Sequence, residues 1–137
     1  MARVLGLDPG TKRCGVAISD SARTMAFPRE ALTVDETLVA AIERAVNEES
    51  VELVVVGRPL SLAGAPTAST ALADELFASL ATALSPREVI QFDERLTTVE
   101  ASRSLAGAGH RAREQRARID SAAAVVMLQS FLEGKRA

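Results

Sequence analysis

Carboxylates stand at three places where this chain passes from one element to the next. Asp8 closes a short apolar run, Val4 to Leu7, just ahead of the turn signal Pro9-Gly10. Asp93 and Glu94 close a second run, Glu88 to Phe92, and Asp120 opens the last apolar-periodic stretch. In an open α/β sheet, ligand sites collect at the carboxyl ends of strands. Carboxylate oxygens are what hard divalent cations accept, and acid sets that hold two cations roughly 3.5–4 Å apart cleave phosphodiesters. With one His and one Cys in the chain, neither a zinc site nor a Cys/His nucleophile has the residues it needs. Each acid also has a plainer use: Asp8 can initiate a turn, Asp93 or Glu94 can pair with Arg95, and Asp120 can cap a helix. Position alone leaves both readings open.

The elements that must carry these acids read as follows. Val4–Asp8 and Cys14–Ser19 are two short strands in a hairpin, and a third strand falls within Met25–Val34, with Pro28 placing it at an edge. Asp35 is expected to cap a helix whose apolar side is Leu38, Val39, Ile42 and Val46. Leu53–Val56 is a continuous β-branched run of the kind covered on both faces. A helix over Thr67–Leu84, a fifth strand over Glu88–Phe92, a short helix over Thr97–Leu105 and a final helix over Ile119–Glu133 complete the order. Thr97 and Thr98 are expected to cap the short helix, and Gly107 and Gly109 to open an Arg-rich loop. An initial meander followed by alternating helices and strands predicts one α/β domain over residues 1–137, a five-stranded mixed sheet with helices on both faces.

Composition narrows the partners. The chain has 137 residues, 47% hydrophobic and 25% charged, enough for one core. It has no Trp or Tyr, which argues against an aromatic platform for stacked bases. A lone cysteine, Cys14, fits a reducing compartment; no signal peptide pattern is legible and no apolar run nears the roughly 20 residues of a membrane span. The expectation is a cytoplasmic protein with no membrane partner. The net charge of −2 hides an asymmetry. Acids dominate Glu30–Val56, whereas Arg95, Arg103, Arg111, Arg113, Arg116 and Arg118 face only Glu100 and Glu114. Such a cluster on an acidic protein favours phosphate at one edge. Its plainer alternative is a solvated loop.

Four blocks spread over almost the whole chain carry a family resemblance: Asp8-Pro-Gly-Thr-Lys-Arg through Asp20, Val55-Val-Gly-Arg-Pro-Leu60 with Gly64, Asp93-Glu-Arg-Leu-Thr-Thr98, and Ile119-Asp-Ser-Ala-Ala123. They resemble the YqgF family, also called RuvX, which is similar to the RuvC Holliday junction resolvases. The resemblance implies an RNase H-like fold and a metal-dependent nuclease using Mg²⁺ or Mn²⁺. Asp8, Glu94 and Asp120 are then the catalytic, metal-binding acids. Lys12, Arg13, Arg58, Arg95, Arg111, Arg113 and Arg116 become candidates for binding substrate phosphates, to which the planar Arg fork is suited. For Arg58 the plainer alternative is an ion pair that offsets the clustered acids.

The chain departs from the RuvC pattern twice. RuvC-type enzymes take an acid from the end of the fourth strand, where this chain has Gly57-Arg58, and a further acid one turn beyond the last aspartate, where it has Ala123. Glu94 must substitute. If the fifth strand lies two spacings from the first, roughly 10 Å at about 4.8 Å each, Glu94 has to lean inward to share a metal with Asp8. The expected activity is phosphodiester hydrolysis by in-line attack of water, first in 5′-end maturation of pre-16S rRNA. Holliday junction resolution and a non-catalytic RNA-binding factor are the alternatives. The partner is nucleic acid, an RNA precursor or branched DNA, and sequence does not choose between monomer and homodimer. A two-domain actin-like ATPase needs more chain than this.

Overall fold

The computed structural model describes residues 2–108 and 121–136. Short, largely apolar runs build three antiparallel strands first: β1 (Arg3–Pro9), β2 (Arg13–Ser19) and β3 (Ala26–Thr33). The chain then crosses through α1 (Leu38–Glu48) to β4 (Val51–Arg58) and through α2 (Ala68–Ala83) to β5 (Glu88–Asp93), both parallel to β1. A 3₁₀ turn (Glu94–Leu96), α3 (Val99–Ala108) and α4 (Ala122–Arg136) follow. The sheet order is β3-β2-β1-β4-β5, which puts β1 in the middle and Pro28 on an edge strand as expected. Among the described residues no helix is long and apolar enough to cross a membrane.

Strand alternation sorts side chains into two cores. Leu5, Leu7, Val54 and Val56 face α1 and α2, where Ile42, Val46, Leu76 and Leu80 cover them. Val4, Ala17, Leu53 and Val55 face α4, against Val125, Leu128, Phe131 and Leu132. β4 is therefore covered on both faces, which explains its unbroken β-branched run. Helices lie on both sides of the sheet, as predicted.

Local chemistry sets the ends. Thr67 caps α2 in a reciprocal arrangement with Thr70, and Thr98 caps α3 by accepting from Ala101 N at 3.0 Å. At α1 the expectation shifts by two residues. Thr37 is the capping position, and Asp35 instead accepts from Thr37 N at 2.8 Å, closing the turn before the helix. The short helix also runs further than its sequence suggests, so Gly107 falls inside α3; the rest of the expected Arg-rich loop lies outside the described residues.

Candidate active site

β1, β4 and β5 are parallel, so their carboxyl ends share one edge of the sheet. Asp8 stands there on the α4 side of β1, two residues beyond Gly6 and in register with Gly15 of the neighbouring β2. On its other flank the β1–β4 register, which pairs Leu7 with Val56, carries Asp8 to the level of Gly57. The central acid thus has a residue without a side chain on either side.

Glu94 fills the gap at Gly57. The β4–β5 register pairs Gly57 with Phe92, and Glu94 follows two residues later on the 3₁₀ turn. A Cβ placed at Gly57 would lie 3.1 Å from Glu94 Cδ and 3.2 Å from its Cγ. The glutamate side chain therefore passes directly over residue 57, and its carboxyl hydrogen-bonds that of Asp8. The two-strand separation anticipated from sequence is real, and the inward lean bridges it.

Electrostatics follow from that contact. Burial pushes Glu94 up to about 8, helped by the hydrogen bond to Asp8 and by the charges of Asp8 and Asp93. Burial also raises Asp8, while the hydrogen bond from Glu94 works the other way. In the absence of a cation the pair shares a proton that Glu94 carries. An all-oxygen donor set, with a proton a cation would displace, suits a hard divalent ion. Among the described residues, no group of three or more His, Cys, Asp or Glu side chains is placed to hold a metal, so this pair is the core of the site. Cys14, buried beneath Asp8, is pushed up to about 12 by burial and by the Asp8 charge, which leaves it an inert thiol.

Asp93, the other half of the sequence ambiguity, has a different job. Its carboxylate accepts from Arg95 N at 2.9 Å, Arg95 Nε at 3.0 Å and Arg95 Nη2 at 2.6 Å, which holds it below the usual carboxylate range. Arg95 is folded back onto this turn, and its Nη1 lies 2.9 Å from where a Cβ would stand on Gly64. Arg58 makes a forked ion pair with Asp74 of α2, Nε to Oδ1 at 2.9 Å and Nη2 to Oδ2 at 3.2 Å, and Gln91 Nε2 donates to Asp74 Oδ1 at 2.7 Å. Arg58 is thus held in an ion pair, but with this helix residue and not with the clustered acids. Lys12 and Arg13 are exposed at the β1–β2 turn, on the same edge as Asp8. Asp120, Arg111, Arg113 and Arg116 lie outside the described residues.

Sequence reasoning missed the parts that make the pair possible. In the sequence Gly57 stands out only as the place of a missing acid, although a glycine in a buried strand also signals close approach by another group. Gly15, Asp74 and Gln91 carried no signal before register was known. Ser121 was missed as well. It is buried, and its hydroxyl accepts from Val16 N at 3.0 Å and donates to Arg29 O at 2.7 Å, pinning the start of α4 across β2 and β3.

This sheet order, with helices on both faces, is the RNase H-like fold. RuvC of Thermus thermophilus, solved in complex with a Holliday junction substrate, superposes with a TM-score of 0.64 over 99% of this chain and 96% of that one, at 12% identity. The fowlpox virus resolvase, solved with Holliday junction DNA, gives 0.60 over 97% and 98%, at 10% identity. The chain belongs to the RuvX family: the family described as "RuvX: Holliday junction resolvase" matches residues 2–134. A relative from Mycobacterium tuberculosis H37Rv, named "Putative pre-16S rRNA nuclease", is 47% identical over 138 residues, 98% of this chain and 81% of the relative. One of the same name from Mycolicibacterium paratuberculosis is 45% identical over 137 residues, 98% and 82%.

Proposed function

We propose that this chain is a divalent-metal-dependent nuclease that hydrolyses phosphodiester bonds of nucleic acid, acting in the cytoplasm on the 5′ flank of pre-16S rRNA. The observation that carries the reading is the Asp8–Glu94 carboxyl pair at the carboxyl edge of an RNase H-like sheet. The name borne by relatives 45–47% identical supports the RNA substrate.

Asp8 and Glu94 would hold the cation, with Asp120 as a third ligand; Ser121, its chain neighbour, is anchored on β2 and β3 beside Gly15. When bound by these acids, Mg²⁺ or Mn²⁺ would supply positive charge for the phosphate oxygens and would lower the pKa of the attacking water. The chain contributes fixed carboxylates and a floor with no side chain on either flank of Asp8. Lys12 and Arg13 bring positive charge to phosphates flanking the cut, and Arg111, Arg113 and Arg116 extend it along the backbone. Arg58 and Arg95, engaged by Asp74 and Asp93, act first by shaping the edge.

The test is cleavage of labelled structured RNA and of a four-way DNA junction, with Mg²⁺, Mn²⁺ or EDTA, by wild type, Asp8→Asn and Asp120→Asn. Metal-dependent cutting of RNA that disappears in both variants is the expected result. Faster cutting of the junction would move the substrate to branched DNA, the reading favoured by the family's own description. Tight binding without cutting, equal in all three proteins, would make the chain a non-catalytic RNA-binding factor and overturn the proposal.

A further inference from the structure

The turn that carries Glu94 is tied down at both ends, and Arg95 makes the forward tie. Asp93 caps the 3₁₀ turn by accepting from Arg95 N at 2.9 Å, and Thr97 N closes it on Glu94 O at 3.3 Å. Behind it, Thr98 N donates to Ser130 Oγ of α4 at 3.0 Å. In front, the Arg95 side chain folds back, its Nε donating to Asp93 Oδ1 at 3.0 Å and its Nη2 to Oδ2 at 2.6 Å. The same guanidinium reaches the loop after β4. A Cβ on Gly64 would lie 2.9 Å from Arg95 Nη1, 3.6 Å from Cζ and 3.9 Å from Nη2, so the arginine fills the space a side chain there would need. The floor beneath it is itself fixed. Ser61 N donates to Ala65 O at 3.0 Å, Gly64 N to Ser61 O at 2.8 Å and Ala65 N to Ser61 Oγ at 3.0 Å, while Leu60 and Pro66 bridge. Pro59 O accepts from the Thr70 hydroxyl in the first turn of α2, and Gly64 holds the left-handed φ of +84° that the loop needs.

We infer that Arg95 is a positioning residue: clamped on Asp93 and seated on Gly64, it fixes the turn that aims Glu94 at Asp8 and keeps the neighbouring carboxylate out of Glu94's place. The inference rests on the nuclease reading and assigns a residue that acts through Glu94. Two acids one peptide apart stand at the end of β5, and the one that meets Asp8 is Glu94. Both oxygens of Asp93 accept from Arg95, so a cation would have to displace the guanidinium to reach them. Glu94 has its stem across Gly57 and its carboxyl on Asp8. A carboxyl on so flexible a stem lands in one place only if its backbone does. Arg95 is 40% exposed and belongs to neither core, and an exposed ion pair adds little to stability. What the clamp contributes is geometry, and partners that orient a metal ligand typically account for about 10–100-fold in metal affinity or activity.

The test is a double-mutant cycle on the full chain. Mn²⁺ affinity is measured by titration calorimetry, and kcat and KM on labelled structured RNA, for wild type, Arg95→Ala, Glu94→Gln and the double variant. Arg95→Ala is expected to weaken Mn²⁺ binding and to lower kcat, each about 10–100-fold, with KM for RNA nearly unchanged. In the Glu94→Gln protein, removing Arg95 should change neither quantity further, because the residue it acts through is gone. Arg95→Lys should recover only part of the loss, since an ammonium cannot make the fork. Urea unfolding of the metal-free proteins checks that each variant folds, and Arg95→Lys carries the cycle if Arg95→Ala does not. A rise in KM alone overturns the role and makes Arg95 a phosphate contact. Losses that add in the double variant overturn it too, because Arg95 would then act independently of Glu94. Cutting with Mn²⁺ affinity and kcat indifferent to Arg95 overturns only the positioning role. Arg95-dependent Mn²⁺ binding without any cutting overturns only the nuclease reading, and a wild type that neither binds Mn²⁺ nor cuts overturns both.

Discussion

The carboxyls of Asp8 and Glu94 meet although a whole strand, β4, lies between the strands that carry them. What makes the contact possible is the residue under it. Gly57 presents only hydrogen to the α4 side of the sheet, and the glutamate stem lies across that spot. The site is therefore a three-residue device in which the middle member works by having no side chain.

Gly57→Ala should disarm the enzyme while leaving the fold intact. The new methyl would fall 3.1 Å from Glu94 Cδ, and Glu94 is the movable partner. A displacement on the order of 1 Å can cost about a hundredfold in rate, and that is the loss expected in RNA cleavage. A weaker Mn²⁺ affinity, read by titration calorimetry, should accompany it. Full activity would mean Glu94 reaches the metal by another path.

Glu94→Gln should stabilise the metal-free protein, with a specific pH dependence. Glu94 ionises at about 8 in the folded chain against an ordinary value of 4.5. Between those values the folded state holds a proton that the unfolded state has released, so stability falls as pH rises through that window. Below about 4.5, where both states are protonated, the wild type carries no penalty; above about 8 it carries all of it. In EDTA the variant should therefore gain roughly 1–2 kcal/mol at alkaline pH, a figure reduced for solvent screening at a half-exposed group, and nothing at acid pH. Urea unfolding across the range measures it. A parallel offset at every pH would point to packing instead of charge.

Ser121→Ala should be costly for so small a change. Its hydroxyl satisfies Val16 N and Arg29 O where the β2–β3 register shifts between Cys14 and Val16. Stranding the buried Val16 N–H costs about 1–3 kcal/mol, and the half-buried Arg29 carbonyl loses its donor as well. Equilibrium urea unfolding reports the loss, with Ala122→Ser on the exposed side of the same helix as a control. An unchanged midpoint would mean water replaces the hydroxyl.

The fold was legible because its signals are local and redundant. The β-branched run of β4, the turn at Pro9-Gly10 and the threonine caps each announce an element without reference to the rest. Asp8 was legible for the same reason, standing at the end of a strand. The choice between Asp93 and Glu94 was not, because it depends on which face each residue meets. Alternation in β5 sends Ile90 and Phe92 toward α4 and Gln91 toward Asp74 on α2. Glu94 shares the parity of Phe92, a clue that becomes usable only once the two faces are assigned. The Asp93–Arg95 pair was among the alternatives the sequence offered, whereas the partner of Arg58 was hidden more deeply. An exposed-looking arginine gives no sign in sequence of the aspartate sixteen residues away that grips it.

The vacancy over residue 57 has room for a single carboxyl arm. A carboxylate rooted in β4 and one arriving from the end of β5 would claim the same volume beside Asp8, and would crowd a third negative charge into a space that already forces two acids to share a proton. The two solutions are thus mutually exclusive tenants of one address. Moving the acid from the end of β5 to β4 therefore takes two changes, the loss of one arm and the gain of the other, because the volume over residue 57 holds only one of them.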